Sequence, residues 1–315
     1  MKKIFLPLLF LSSLVSCNAS TSVIEERAFY FDTYIDVKMY EGNKEEAKEI
    51  IDIFKTYSLF SDNYKATSEL SKINSSNDEL SLSKALYDLL KTAFSYDKAV
   101  NFNPLCGSLS KAWKESLEKG EVLSEEVINN ELTKMNNSSL SFLDNDKVKR
   151  NGEASIDLGA IAKGYTLDKV YDYLSSKSYK HYLINAGNSS ILLGEKKADE
   201  GFYKVGIDTK ILDNSYIKMK NCFISTSSIY QQGVTIDGVT YSHIVNPHNG
   251  SAININDAVI VISDTGYIGD ILSTSLMNNT IDEIKELEKE LNIKCIVTKD
   301  KKVTYCNENI EVLHN

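Results

Sequence analysis

The sequence predicts an α+β fold in which mixed or antiparallel sheets are covered by helices. Its strongest short-range signal is Asp237-Gly238, a dipeptide typical of two-residue hairpin turns, which lies between two alternating runs. A second pair of strand-like runs, 295–298 and 303–306, is joined by a short charged turn. Amphipathic segments with helical spacing lie between such runs, as in the Glu- and Lys-rich stretch from Asn43 to Tyr57. Hairpins join antiparallel strands, so sheets of this kind with helices on them are expected.

The remaining elements follow from the same periodicities. In the first half we expect a strand at 28–39, helices at 43–57, 83–97 and about 109–117, and a polar surface excursion at 118–146. In the second half we expect strands at 181–187, 191–193, 202–207, 222–230 and 258–262, and helices at 265–277 and 282–291. Thr280 and Glu283 form a capping box that predicts the start of the last helix.

Composition limits the classes of function. The chain has 315 residues, of which 42% are hydrophobic, enough for one or two globular domains with a sizeable core. Its formal net charge of −9 argues against a nucleic-acid surface, which would need a basic stripe. An anionic ligand must therefore bind to a local positive charge, such as that of a metal ion or the amino-terminal end of a helix.

The amino terminus resembles a bacterial lipoprotein signal. Lys2 and Lys3 precede a short apolar run, and Leu14-Val15-Ser16-Cys17 resembles a lipobox. We therefore expect removal of residues 1–16 as a lipoprotein signal peptide, acylation of Cys17, a tether at 17–27, and a functional domain at 28–315. The protein would then be an extracytoplasmic lipoprotein, periplasmic or on the cell surface, anchored to a membrane by lipid. The alternative is an ordinary signal peptide with a chance cysteine.

Four further cysteines do not suggest a zinc site, because none forms a Cys-x-x-Cys pair and the four histidines are scattered. Cys295 and Cys306 flank the turn of the last hairpin symmetrically. They either face each other and form a disulfide, or they are two buried thiols.

The central motif is the stretch from Ser155 to Asp168. It reads as a strand end, a glycine-containing turn and the opening of a helix. Lys163 and the free amides of the helix start suit phosphate oxygens, whereas Asp157 and Asp168 offer acceptors for hydroxyl groups or a metal. The alternative is a turn without a ligand.

Two other places carry candidate side chains. Asp270 and Thr274 are four residues apart on a predicted helix, so their oxygens lie on one face and suit a hard cation such as magnesium. The alternative is that both merely cap the helix or face solvent. Tyr64, in the loop at 59–64, either covers a planar ligand or packs on the surface.

Taken together, these segments resemble the FAD:protein FMN transferases, the ApbE family of flavin-transferring lipoproteins. The resemblance is collinear from about Phe31 to Thr274. Its motifs are Tyr64 through Ser68-Glu69-Leu70 to Asn74, Phe102-Asn103-Pro104 to Trp113, Asp157 to Gly164, Asn185 to Gly187, Ser225 to Ser227, Ser242 to Pro247 with Gly250, and Asp270 to Thr274. Departures include Asn103-Pro104-Leu105 for the family's Asp-Pro-Thr and Gly187-Asn188-Ser189 for its Gly-Gly-Asp.

The resemblance implies a T-fold-like ApbE architecture and a specific reaction. Such enzymes bind FAD with Mg²⁺ across its pyrophosphate and transfer FMN to a threonine or serine hydroxyl of an acceptor protein, releasing AMP. The Ala162 carbonyl, Asp270 and Thr274 would then hold the magnesium, and His243 would be the general base, ahead of His248. FAD would contact Phe31, Tyr64, Asn101, Phe102, Asn103, Asp157, Lys163, Tyr165, Asp168 and Val245, with Tyr64 stacked on the flavin.

Two alternatives remain open from the sequence. One is hydrolysis of FAD to FMN and AMP, with water in place of the acceptor hydroxyl. The other is a flavin-binding lipoprotein without turnover. Partners other than FAD, an acceptor flavoprotein and a membrane are not indicated.

Overall fold

The computed structural model describes residues 23–63 and 65–314. The predictions on residues 1–16, on Cys17 and on Tyr64 therefore lie outside the described residues. The strands, in chain order, are β1 (Ile24–Tyr30), β2 (Thr33–Met39), β3 (Glu79–Ser81), β4 (Ser139–Leu143), β5 (Lys147–Asn151), β6 (Tyr182–Ala186), β7 (Ser190–Leu193), β8 (Tyr203–Gly206), β9 (Ser215–Met219), β10 (Cys222–Ser228), β11 (Val234–Ile236), β12 (Val239–Tyr241), β13 (Ala258–Ser263), β14 (Lys294–Lys299), β15 (Lys302–Cys306) and β16 (Leu313–His314).

The helices are α1 (Lys44–Ser61), α2 (Glu69–Ser75), α3 (Lys84–Ser95), α4 (Gly107–Glu118), α5 (Glu125–Asn136), α6 (Ala162–Ser176), α7 (Gly266–Ser275) and α8 (Ile281–Leu291). A short 3-10 turn at Pro104–Cys106 leads into α4. The predicted capping box of α8 is confirmed, and Asn43 with Glu46 forms another at the start of α1.

A central antiparallel sheet of eight strands, in the order β1-β2-β6-β7-β10-β13-β14-β15, organises the fold. Helices α1, α6 and α7 cover one face, where apolar side chains from β2, β6 and β13 are buried. The antiparallel sheet β16-β9-β8 packs on the other face. The α+β prediction is confirmed, with antiparallel pairing throughout these sheets.

The predicted strand at 28–39 is wrong, because this stretch is a hairpin. Phe31 and Asp32 both have positive φ, 53° and 55°, and turn the chain between β1 and β2. The apolar alternation continues through these two residues, so the sequence pattern hid the turn. Strand β1 also begins at Ile24, so part of the predicted tether belongs to the sheet.

The polar stretch 118–146 is more ordered than predicted. It contains α5 and β4, and Met135 of α5 is 3% exposed in the main core. Strand β4 pairs with β5, which in turn pairs with β3, to form a small sheet beside the helices. A few apolar side chains, such as Met135, pack this stretch against the main core. The low apolar content of the stretch therefore wrongly predicted a surface excursion.

Cys295 and Cys306 do not face each other. Ile296 is the residue opposite Cys306, whereas Cys295 is opposite Val261 of β13. A register shift of one residue places two side chains on opposite faces of a sheet. The two thiols accordingly lie in different cores and are free, which excludes the disulfide alternative for this fold.

Candidate functional site

The candidate site is formed where the first turns of α6 and α7 meet the end of β10. Asp270, in α7, is 6% exposed, and its Oδ1 accepts hydrogen bonds from the hydroxyls of Ser190 (2.8 Å) and Ser225 (2.7 Å). Its Oδ2 accepts one from the Gly164 amide at 2.6 Å. Burial raises the pKa of Asp270, while Lys163 and these three donors lower it. A buried carboxylate is thus held rigidly at this point.

Thr274 lies one helical turn after Asp270, on the same face of α7. Its Oγ1 is 3.1 Å from the Ser227 hydroxyl, which is also 3.0 Å from the Ser273 hydroxyl. Alternate residues of β10 therefore contact the two candidate ligands: Ser225 contacts Asp270 and Ser227 contacts Thr274. The predicted pairing of a carboxylate and a hydroxyl on one helix face is present.

The Ala162 carbonyl, which the resemblance makes a metal ligand, has a contact within its own helix. Ala162 begins α6, and carbonyls inside a helix point toward its carboxyl end. The Ala162 carbonyl accordingly accepts a hydrogen bond from the Thr166 hydroxyl at 2.6 Å. The Gly164 amide, which in a continued helix would bond to the Ala160 carbonyl, is instead diverted to Asp270. The Gly164 amide therefore does not occupy the Ala160 carbonyl, which is the acceptor it would have in a continued helix.

A cavity of about 290 Å³ lies at the amino-terminal end of α6. Four residues predicted to bind flavin or metal line it: Phe31, Asp157, Ala162 and Lys163. The Phe31 amide donates to the Ser58 hydroxyl at 3.1 Å, which fixes the β1–β2 turn on the wall of the cavity. Asn63 and Lys65, the neighbours of Tyr64, also line it.

Asp157 is part of the floor of this cavity. Its Oδ1 accepts a hydrogen bond from the Gly159 amide at 2.7 Å, which shapes the turn before α6. Burial raises the pKa of the Asp157 carboxyl, and the Gly159 amide opposes that effect.

His243 lies in the loop between β12 and β13 and is exposed to solvent. Desolvation, with a smaller contribution from Lys163, lowers the pKa of His243 to about 4. Lys163 thus acts electrostatically on both His243 and Asp270. The imidazole is neutral at pH 7.

The loop that carries His243 is held from the side by Trp113. The indole Nε1 donates to the Gly250 carbonyl at 2.8 Å, and the ring stacks on Tyr241 with centroids 5.6 Å apart. His248, the weaker candidate base, is exposed, and its Nε2 lies 2.7 Å from the Val100 carbonyl. That contact gives His248 a structural partner.

Five residues predicted to contact FAD have contacts with other parts of the protein. Asn101 bonds through its side chain to Asn279 at 2.9 Å, and Asn103 caps the 3-10 turn by accepting from the Leu105 amide. Tyr165 is 6% exposed, with its ring against Tyr57. Phe102 and Val245 are partly buried against apolar clusters. None of these residues lines the cavity beside Phe31.

Asp168 also differs from its predicted role. Its two carboxylate oxygens accept hydrogen bonds from the amides of Gly266 (2.7 Å) and Tyr267 (2.9 Å), at the start of α7. Burial raises the pKa of the Asp168 carboxyl to about 6. The carboxylate is therefore engaged with a neighbouring helix.

Sequence reasoning missed Ser190 and the exact partners of Ser225 and Ser227. These hydroxyls contact Asp270 and Thr274 only because β7 and β10 are neighbours in the sheet. The one available signal was the run of small hydroxyl residues at 225–228 in an otherwise apolar strand.

The donor set suits a hard divalent cation. Asp270, Thr274 and the Ala160 carbonyl offer three different kinds of oxygen, the ligand type that Mg²⁺ prefers. Within residues 23–63 and 65–314, no group of three or more His, Cys, Asp or Glu side chains is clustered to hold a metal. A site with one carboxylate fits magnesium shared with substrate phosphates better than a cage made by protein alone.

Comparison with known proteins gives concordant results. The sequence model described as the ApbE family matches residues 31–297. A FAD:protein FMN transferase of Klebsiella pneumoniae (strain 342) is 28% identical over 254 residues, covering 78% of this chain and 79% of the relative. One from Vibrio cholerae (serotype O1) is 28% identical over 225 residues, covering 68% and 67%.

Solved structures share the fold. The ApbE protein of Thermotoga maritima has a TM-score of 0.79 and 24% identity, covering 91% of this chain and 97% of that one. The flavin transferase ApbE from Vibrio cholerae has a TM-score of 0.74 and 21% identity, covering 93% and 97%.

Proposed function

The chain belongs to the ApbE family, and from that premise we propose that it is an enzyme that transfers FMN from FAD to a hydroxyl group of an acceptor protein. The names of its relatives, FAD:protein FMN transferase, support this reaction. The observation that carries the proposal is the position of Lys163, which lines the cavity with Phe31 and Asp157 and acts electrostatically on Asp270. The next residue, Gly164, donates its amide to Asp270, and Thr274 follows one turn later on α7.

Mg²⁺ is the metal that this proposal requires. Asp270, Thr274 and the Ala160 carbonyl would hold it, and it would neutralise charge on the FAD pyrophosphate as the bridging bond breaks. The buried position of Asp270 supports this assignment, because a cation offsets the cost of an ionised carboxylate in a protein interior.

The flavin half of FAD is assigned to the cavity between the β1–β2 turn and the start of α6. Phe31 offers an aromatic wall, and Asp157 offers hydrogen-bonding groups at the floor. Lys163 lies on the same wall and brings a positive charge toward Asp270 and His243. A cation there favours the phosphate oxygens that join the two halves of FAD.

His243 is assigned as the general base. The acceptor hydroxyl attacks the FMN phosphorus, its proton passes to the neutral imidazole, and AMP leaves with the electrons of the broken phosphoanhydride bond. With a pKa of about 4, the ring is deprotonated in the free enzyme at pH 7. The anionic pyrophosphate of bound FAD raises this pKa toward the ordinary value, which makes the ring a better proton acceptor.

The experiment that tests this function uses the purified protein, FAD, Mg²⁺ and a recombinant flavoprotein domain that has an exposed attachment threonine. Intact mass measurement should show one FMN added to the acceptor, with AMP released in equal amount. The matched control is the acceptor with that threonine changed to alanine, which should stay unmodified. Free FMN plus AMP without acceptor labelling would identify a pyrophosphatase, and unchanged FAD would identify a binding protein.

We also propose that the protein is anchored outside the cytoplasm by a lipid on Cys17, as the lipobox-like Leu14-Val15-Ser16-Cys17 suggests. No helix in the described residues is long and apolar enough to cross a membrane. An anchored enzyme of this class would act on acceptors at the same membrane face.

A further inference from the structure

Helices α6 and α7 each contribute one carboxylate that accepts hydrogen bonds from backbone amides in the first turn of the other helix. Asp168 of α6 accepts hydrogen bonds from the amides of Gly266 and Tyr267, at 2.7 and 2.9 Å. In return, Asp270 of α7 accepts one from the Gly164 amide, at 2.6 Å. Thr265, the residue at the N-cap position of α7, makes no capping bond with its side chain. The cap of α7 is therefore supplied by the neighbouring helix.

Two glycines allow this exchange. A Cβ atom on Gly164 would lie 2.2 Å from the Gly266 carbonyl oxygen, and one on Gly266 would lie 2.3 Å from the Gly164 carbonyl oxygen. The two backbones are thus in direct contact between the two carboxylate caps. Such a contact leaves little freedom for one helix to slide along the other.

We propose that Asp168 is a positioning residue for the metal site. It fixes the start of α7 against α6, so that the Asp270 carboxylate stays bonded to the Gly164 amide while Thr274 lies one turn further along α7. This inference rests on the metal site in the proposed function. It differs from a role in binding the nucleotide, because it rests on the two hydrogen bonds that Asp168 accepts from the backbone of α7.

The test is Asp168→Asn in the full chain. An asparagine side chain has one acceptor oxygen, and its NH₂ group opposes a backbone amide, so one of the two bonds is lost. Binding of Mn²⁺, used as a probe for Mg²⁺, is followed by electron paramagnetic resonance at saturating FAD, because the proposed site shares its metal with substrate phosphates. We expect the dissociation constant to rise at least about tenfold, as for loss of other groups that orient metal ligands. Asp172→Asn, an exposed position on the same helix, should leave it unchanged.

A second variant separates positioning from stability. Adding Thr265→Asp to Asp168→Asn gives α7 a local cap, which should restore the melting temperature and allow the measurement even if the single variant folds poorly. The weak Mn²⁺ affinity should persist, because the local cap does not connect α7 to α6. Full recovery of Mn²⁺ affinity would overturn the proposal.

Two other outcomes would also overturn it. Unchanged Mn²⁺ affinity in Asp168→Asn, together with weaker FAD binding in EDTA, would make Asp168 a nucleotide contact. Absence of Mn²⁺ binding by the unaltered protein would remove the metal site itself. By contrast, an unaltered protein that binds Mn²⁺ but transfers no FMN would refute the proposed function, while the affinity comparison would still decide the role of Asp168.

Discussion

The backbone amide of Gly164 donates a hydrogen bond to the Asp270 carboxylate at 2.6 Å, across 106 residues of sequence. This bond brings the Asp157–Gly164 turn to the helix that carries Thr274. It also uses the amide that, in a continued helix, would donate to the Ala160 carbonyl. One contact therefore joins the two parts of the site that the sequence could only place separately.

Replacing Asp270 by alanine should abolish Mg²⁺-dependent turnover. The change also leaves Ser190, Ser225 and the Gly164 amide without their acceptor, so we expect a loss of about 1–3 kcal/mol in the free energy of unfolding. Activity assays across Mg²⁺ concentrations and urea denaturation measure the two effects. Asp282→Ala, at an exposed position, is the control, and undiminished activity in Asp270→Ala would remove the metal assignment.

The pH dependence of the reaction should reveal His243. Its lowered pKa means that the base is available down to about pH 4 in the free enzyme, so kcat/KM should fall only below that pH. The profile of kcat should fall at a higher pH, because bound FAD raises the pKa. His243→Gln should lose activity by about 10²- to 10⁴-fold. Its pH profile should also lack the fall in rate at acidic pH, which is the acidic limb. A limb retained in that variant would assign the base elsewhere.

The same group affects stability in a defined direction. The unfolded chain takes up a proton at His243 near its ordinary pKa of about 6.5, whereas the folded chain does so near 4. Stability from this group is therefore complete above about pH 6.5 and is lost as the pH falls toward 4.

Lys163→Met should move the acidic limb of kcat/KM to higher pH. Removing the positive charge takes away one of the two causes that lower the pKa of His243. The same change should raise KM for FAD, because the phosphates lose a cation. Lys169→Met, six residues further along α6, is the matched control. A profile identical to that of the unaltered enzyme would show that Lys163 does not act on His243.

Trp113→Phe should destabilise the loop that carries His243. The variant loses the hydrogen bond to the buried Gly250 carbonyl, which we expect to cost about 1–3 kcal/mol in the free energy of unfolding. Circular dichroism during urea denaturation is the appropriate measurement, because Trp113 is the only tryptophan of the chain. A change below about 0.5 kcal/mol would mean that this bond does not hold the loop.

Cys17→Ser should release the protein from membranes. The expected acyl chains cannot be attached to serine, so the variant should partition into the aqueous phase of a Triton X-114 extraction instead of the detergent phase. Cys222→Ser controls for loss of a thiol at a buried position. Equal detergent partitioning of both variants would refute the lipid anchor.

Local chemistry made much of the fold predictable. The Asp237-Gly238 turn, the capping box at Thr280 and the buried strand β13 each have a sequence signal that the structure confirms. The turn at Phe31 has no such sequence signal, because the two residues with positive φ there, Phe31 and Asp32, are not glycine. Its conformation depends on contacts that residues distant in sequence provide, such as the Ser58 hydroxyl.

The site was predictable only in part, for a related reason. Spacing alone placed Asp270 and Thr274 on one helix face, and the motif placed Lys163 at a helix start. Which backbone carbonyl is free at that start depends on where the helix begins and on the diversion of the Gly164 amide, neither of which a residue pattern shows. The amide partners of Asp168 could not be predicted either, since they are about a hundred residues away in the sequence.

The most direct test of the central claim is a crystal grown with FAD and Mn²⁺ and measured at an energy where manganese scatters anomalously. We predict one anomalous peak within coordination distance of the Asp270 carboxylate, the Thr274 hydroxyl and the Ala160 carbonyl, touching the FAD pyrophosphate. A peak elsewhere, or bound FAD whose pyrophosphate lies away from Asp270 with no metal beside it, would contradict the account.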